Sequence, residues 1–137
     1  MPNVEILSLP TLASANADPG PKRLMLPQGE FTLLHPACPE IRFLAFLTFA
    51  PGISRGGHHH PAKEEFFYLL RGSIELRIRE RVAGTVTEYR IKDGDLVRIP
   101  PGVEHLYTAS EPSEAVEFSA TPWSAGDSVK GDFSQVF

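Results

Sequence analysis

Disulfide chemistry is missing from this chain, because it carries a single cysteine, Cys38. One thiol cannot close an internal bridge, and it fits a reducing compartment, so a cytoplasmic location is expected. A long hydrophobic run is also missing: no stretch approaches the ~18 apolar residues of a membrane span. The opening MPNVEILSLPTLASANADPG lacks a basic start leading into an apolar run, which argues against a secretory signal. There is no surplus of positive charge. The formal net charge of −4 offers no footprint for nucleic acid. A sustained 3.6-residue apolar period is lacking as well, so long helices are not expected. No internal repeat or low-complexity segment stands out. What remains is a globular chain of 137 residues, one domain by length, with an ordinary hydrophobic fraction of 42%.

Thirteen prolines and eleven glycines punctuate the sequence at short intervals. Residues 1–40 hold seven of the prolines and read as an extended arm with one short strand near EFTLLH, residues 30–35. Such an arm is expected to pack on the rest of the chain or on a partner subunit. From residue 41 onward, apolar and alternating runs sit between turn signals. IRFLAFLTF, residues 41–49, reads as a strand buried on both faces. EFFYLL, SIELRIRE, VTEYRI, LVRI, EHLYTA and AVEFSA follow as strands, with VAGT at residues 82–85 as a hairpin turn. Phe43, Phe46, Phe49, Phe66, Phe67 and Phe118 are the expected core aromatics. Strands every eight to twelve residues without intervening helices predict an all-β fold, an antiparallel sandwich or jelly-roll barrel over residues 41–120. Residues 121–137 form a C-terminal segment with no assigned element.

The chemistry concentrates in RGGHHHPAKEEFFYLLRG, residues 55–72. Side chains two apart on a strand share a face. His58 and His60 can therefore converge, while His59 points away. Glu64 and Glu65 also point oppositely, so only one of them can join the histidines. His105, after IPPGVE, is a further candidate. Three imidazoles and a carboxylate suit a divalent transition metal, with zinc, iron, manganese and nickel all admissible. Four protein ligands leave positions open for substrate, as a catalytic site requires.

These residues fall into two spaced motifs that resemble those of the cupin superfamily. The first, G-x5-H-x-H-x4-E-x6-G, is met by Gly52, His58, His60, Glu65 and Gly72. The second, G-x5-P-x-G-x2-H, is met by Gly94, Pro100, Gly102 and His105; Ala109 stands where the family often has Asn. The resemblance implies an antiparallel double-stranded β-helix, the jelly-roll cupin barrel. It also implies metal ligation by His58, His60, Glu65 and His105.

A finer resemblance points to the sugar-nucleotide branch, which holds deoxysugar 3,5-epimerases, ketoisomerases and the cupin domain of capsule-forming nucleotide-sugar enzymes. It rests on Arg55-Gly56-x-His58, on His58-x-His60-x-x-Lys63-x-Glu65, and on Tyr89-x-Ile91 with IPPG leading to His105. It implies a small-molecule enzyme, an epimerase or isomerase, dimerising through an edge strand or its arm. Arg55 is the candidate to grip a diphosphate and Tyr107, sharing strand parity with His105, the candidate proton donor. Lys63 and Glu64 are expected at an exposed rim. Against this branch, no second basic cluster and no dedicated histidine–aspartate base are visible. An iron dioxygenase acting on a small organic substrate, and a ligand-binding or sensory cupin without catalysis, are the alternative readings.

Overall fold

The computed structural model describes residues 4–35, 37–38, 40–79 and 84–131. Among the described residues thirteen strands run in chain order: β1 (Glu5–Ser8), β2 (Thr11–Leu12), β3 (Lys22–Leu26), β4 (Gly29–Leu33), β5 (Phe43–Phe49), β6 (Ser54–His59), β7 (Glu65–Arg71), β8 (Ser73–Arg79), β9 (Val86–Lys92), β10 (Asp95–Ile99), β11 (Glu104–Ala109), β12 (Ser113–Ser119) and β13 (Val129–Lys130). No helix occurs among the described residues. Val82 and Ala83 of the expected hairpin turn lie outside them, as do residues 132–137.

Two five-stranded sheets form the body, ordered β1-β10-β7-β12-β5 and β13-β6-β11-β8-β9. From β5 to β13 the chain passes from one sheet to the other at every connection except the β8–β9 hairpin, the crossing pattern of an antiparallel jelly roll. The inner faces meet in one core. Phe49, Phe67, Leu69, Val97, Ile99 and Ala115 come from the first sheet; Ile74, Leu76, Ile78, Ile91, Tyr107 and Ala109 come from the second. Each large side chain buried there contributes roughly 1.5–3 kcal/mol. The clean alternation of SIELRIRE is the outcome of this one-sided burial.

The first sheet is covered on its other face too. The arm places β1 beside β10, with Ile6 opposite Val97, and folds β2, β3 and β4 into a separate three-stranded sheet. Leu9 and Cys38 of the arm pack on Phe66, Tyr68, Leu96 and Phe118 in a second apolar cluster. The arm is thus richer in structure than the single strand expected at residues 30–35. The two-sided burial expected of residues 41–49 belongs instead to β7, where five consecutive residues from Glu65 are buried. β5 lies at a sheet edge beyond the arm's cover, and Leu44 and Phe46 are 66% and 62% exposed. Phe46 is therefore not core, and Phe66 and Phe118 sit in the outer cluster.

Where β7 ends, the chain passes directly into the other sheet through Gly72. Its φ is 118°, and a Cβ built there would stand 2.7 Å from the Cα of Ser113. Only glycine satisfies both the angle and the approach. This passage fixes β7 and β8 face to face.

Candidate metal centre and its cavity

Strands from both sheets build the site. β6 carries His58, and His60 follows at its end. Glu65 opens β7 in the facing sheet, and His105 lies on β11, directly opposite His58 in the β6–β11 ladder. One side-chain donor atom from each of His58, His60, Glu65 and His105 can be chosen so that all lie within 4.8 Å of one another. Of the two adjacent glutamates, Glu65 turns inward and Glu64 turns outward to pair with Arg98 at 2.7 Å. His59 is buried but lies outside both the ligand group and the cavity lining.

A bulge in β6 decides which other side chains join. His105 pairs with His58 while Tyr107 pairs with Arg55, so two residues of β6, Gly56 and Gly57, oppose Leu106 alone. Strict alternation would send Arg55 and His58 to opposite faces. The extra residue resets the phase, and both line the same cavity. Gly56 permits this at φ 101°, with the His105 carbonyl oxygen 2.8 Å from where its Cβ would be.

The imidazoles are oriented from behind. His60 Nδ1 donates to the Asp127 carbonyl at 2.6 Å, and His105 Nδ1 donates to the Val103 carbonyl at 3.0 Å. A carbonyl can only accept, so the proton of each neutral ring sits on Nδ1 and the lone pair on Nε2. Both Nε2 atoms are buried without a hydrogen-bond partner. They stand 3.5 Å and 3.4 Å from Glu65 Oε1. The second oxygen, Oε2, accepts the Tyr107 hydroxyl at 2.6 Å. Orphaned basic nitrogens converging on one carboxylate oxygen are what a metal would satisfy, and imidazole with carboxylate matches the donor preference of zinc, iron, manganese or nickel.

The electrostatics follow from this crowding. Burial, with the charges of His105 and His60, pushes His58 down to about 4. Burial also opposes a charge on His105, but the Glu65 carboxylate outweighs it and raises that ring. Burial alone would raise Glu65; the charge of His105, the neighbouring histidine nitrogens and the Tyr107 hydroxyl hold it well below the usual carboxylate range. Tyr107 is raised well above 10 by burial and by the Glu65 charge. Its ring stacks on Phe67 at 4.1 Å.

The cluster lines a cavity of about 400 Å³, a size ordinary for small-molecule sites. Phe43, Leu47, Phe49 and Phe67 give it an apolar wall. Arg55 donates to the Thr48 carbonyl at 3.0 Å and 3.2 Å and lies over the Phe49 ring. Lys63, expected at an exposed rim, is instead buried in this cavity. Its ammonium sits 2.6 Å from Glu117 and 3.9 Å from Glu65, over the Phe43 ring at 4.3 Å. Glu117, absent from the sequence-based candidates, is raised to about 7 by burial and by the Glu65 charge, against the pull of Lys63. The C-terminal segment also contributes, through Trp123, Ser124 and Asp127.

A family model described as the cupin domain matches residues 45–120. The chain belongs to the cupin family. Among curated proteins, this cupin is 30% identical over 84 residues to a UDP-2-acetamido-2,6-β-L-arabino-hexul-4-ose reductase of Pseudomonas aeruginosa. That alignment takes in 60% of this chain, which spans only 22% of the relative's length. Solved structures with the same fold include a 3,4-ketoisomerase from Helicobacter canadensis, with TM-score 0.76 and 13% identity, covering 98% of this chain and 95% of that one. A sugar 3,4-ketoisomerase from Thermoanaerobacterium thermosaccharolyticum, solved with TDP, gives TM-score 0.75 and 16% identity, covering 98% and 92%. The capsular polysaccharide assembling protein CapF of Staphylococcus aureus gives 0.62 and 21%, covering 82% of this cupin and 32% of that chain. At such identities the likeness is one of fold.

Proposed function

We propose that this cupin holds one divalent transition metal through His58, His60, Glu65 and His105 and isomerises or epimerises a carbonyl-bearing carbohydrate or nucleotide sugar. The observation that carries the reading is the pair of buried Nε2 atoms without a hydrogen-bond partner, converging on Glu65 beside a cavity that also holds a carboxylate–ammonium pair. A metal bound there would supply a Lewis acid for a carbonyl oxygen. The chain's own residues would do the rest. Glu117, a cavity carboxylate outside the ligand group, is placed to take a proton from the carbon next to that carbonyl and return it. Lys63 is placed to offset the negative charge that develops. Arg55 would contact the substrate from the cavity wall. Tyr107 gives its hydroxyl to Glu65 and would act as a positioning residue for the ligand carboxylate.

The sugar-nucleotide names attached to relatives of this fold support the substrate class. We further propose a homodimer in which the uncovered Leu44 and Phe46 meet a second copy, and a cytoplasmic setting consistent with the unbridged Cys38. Among the described residues no helix is long and apolar enough to cross a membrane.

The apolar wall of Phe43, Leu47, Phe49 and Phe67 favours one second reading, oxygen-dependent cleavage of a small organic substrate with iron on the same ligands. Proton nuclear magnetic resonance in D2O separates the two. Isomerisation or epimerisation exchanges the hydrogen beside the carbonyl for deuterium, and Glu117→Gln should abolish the exchange while metal stays bound. Oxygen uptake without deuterium exchange would replace the first reading with the second.

A further inference from the structure

We propose that Asp127 is a positioning residue for the metal centre, and that residues 122–131 form a strap whose attachment is coupled to metal binding. The inference rests on the metal reading above. The C-terminal segment carries no regular pattern in the sequence, yet it is tied to the site at three independent places. The Asp127 carbonyl accepts from His60 Nδ1 at 2.6 Å and so sets the ring that presents Nε2. The Asp127 carboxylate accepts the backbone N–H groups of Ala62 at 2.9 Å and Lys63 at 3.1 Å. These lie in the loop between His60 and Glu65. Beyond Asp127, β13 pairs with β6, Lys130 opposite His58 and Val129 opposite His59, and the Gly131 N–H donates to the Gly57 carbonyl at 2.6 Å.

One residue therefore holds one ligand ring with its backbone and the following loop with its side chain. The strand after it lies along the strand that carries another ligand. The same segment supplies Trp123, Ser124 and Ala125 to the cavity wall. Little apolar surface anchors it: Trp123 is 68% exposed and Val129 is 44% exposed. An element held by a few hydrogen bonds sits at the low end of local stability. A metal that fixes the His60 ring must also favour the attached strap. By reciprocity, loss of the strap must weaken the metal by the same factor.

Trp123 is the only tryptophan, so its emission reports the strap alone. Zinc affinity is measured by competition with a chromophoric chelator, and Trp123 anisotropy is recorded along the same titration. In the unaltered chain, anisotropy should rise with the midpoint of zinc uptake. Asp127→Ala keeps the carbonyl that His60 uses but releases the Ala62 and Lys63 N–H groups that hold that carbonyl in place, so zinc should weaken about tenfold through the displaced partner of His60. Asp127→Asn, which keeps one acceptor oxygen, should recover part of that loss. Far-ultraviolet circular dichroism confirms that each variant is folded. Zinc binding of unchanged affinity in Asp127→Ala, or Trp123 anisotropy flat through zinc saturation, overturns the coupling alone. No zinc uptake by the unaltered chain overturns the metal reading and the coupling together.

Discussion

Replacing Tyr107 by phenylalanine isolates a single oxygen. The ring is buried and stacked on Phe67 at 4.1 Å, so the packing survives the change. What is lost is the 2.6 Å hydrogen bond to Glu65 Oε2. That acceptor is 2% exposed and held well below the usual carboxylate range, and a cavity water is only a partial substitute for the fixed hydroxyl. A hydrogen bond to a charged buried group contributes about 1.5–3 kcal/mol, and stranding its acceptor costs the upper part of that range. Tyr107→Phe should therefore destabilise the metal-free protein by about 2 kcal/mol. With an unfolding entropy of ~2.1 cal/mol/K per residue, a chain of this length loses about 7 °C in Tm. The freed carboxylate should also present Oε1 less firmly, weakening zinc about tenfold. Urea denaturation monitored by circular dichroism gives the first quantity and chelator competition the second. A variant within about 0.5 kcal/mol of the parent, with zinc affinity unchanged, would refute the role given to the hydroxyl.

Other outcomes follow from the same geometry. The Tyr68 hydroxyl donates to Glu30 at 3.0 Å, and burial first, then the Glu30 charge, pushes it up to about 12. The unfolded phenol ionises near 10, so the stability this group contributes is complete below about pH 10 and lost as pH rises toward 12. Because the hydroxyl borders an open cavity, about 1–2 kcal/mol of alkaline dependence is expected, and Tyr68→Phe should remove it in denaturation curves at pH 9 to 12. Gly72→Ala must strain a φ of 118° and drive a methyl into Ser113, so a loss of at least about 3 kcal/mol is expected in the same assay. The double change Leu44→Ser and Phe46→Ser should shift the mass measured by light scattering from dimer to monomer with the fold intact; a monomeric parent would contradict the proposed assembly.

The fold was legible because its constraints are local. Turn glycines such as Gly72 and Gly94 and the alternation of Ile74, Leu76 and Ile78 follow directly from backbone and pleat geometry. The convergence of His58 and His60 was legible for the same reason, since parity separates them from His59, whereas the choice of Glu65 over Glu64 came from the cupin motif. Glu117 was hidden by the arm. In AVEFSA the apolar Val116 and Phe118 look like the core face, but they face the arm, and Glu117 shares the inner face with Ala115. A sheet buried on both sides erases the signal that alternation carries. Lys63 lies outside any strand, where no period can report burial. Asp127 acts through a backbone carbonyl and two amide contacts that form across 64 or more residues, and only the fold brings those partners together. The adjacent Gly56 and Gly57 were the available sign of the bulge that returns Arg55 to the cavity.

The proposed chemistry rests on a metal held by the four converging side chains. Elemental analysis by plasma mass spectrometry, on protein expressed in metal-supplemented medium and purified without chelators, tests it most directly when run beside His58→Ala. Such a site should give close to one divalent transition metal per chain in the parent, and near-zero content in the variant with its circular dichroism unchanged. A metal-free parent, or full occupancy in His58→Ala, would contradict it.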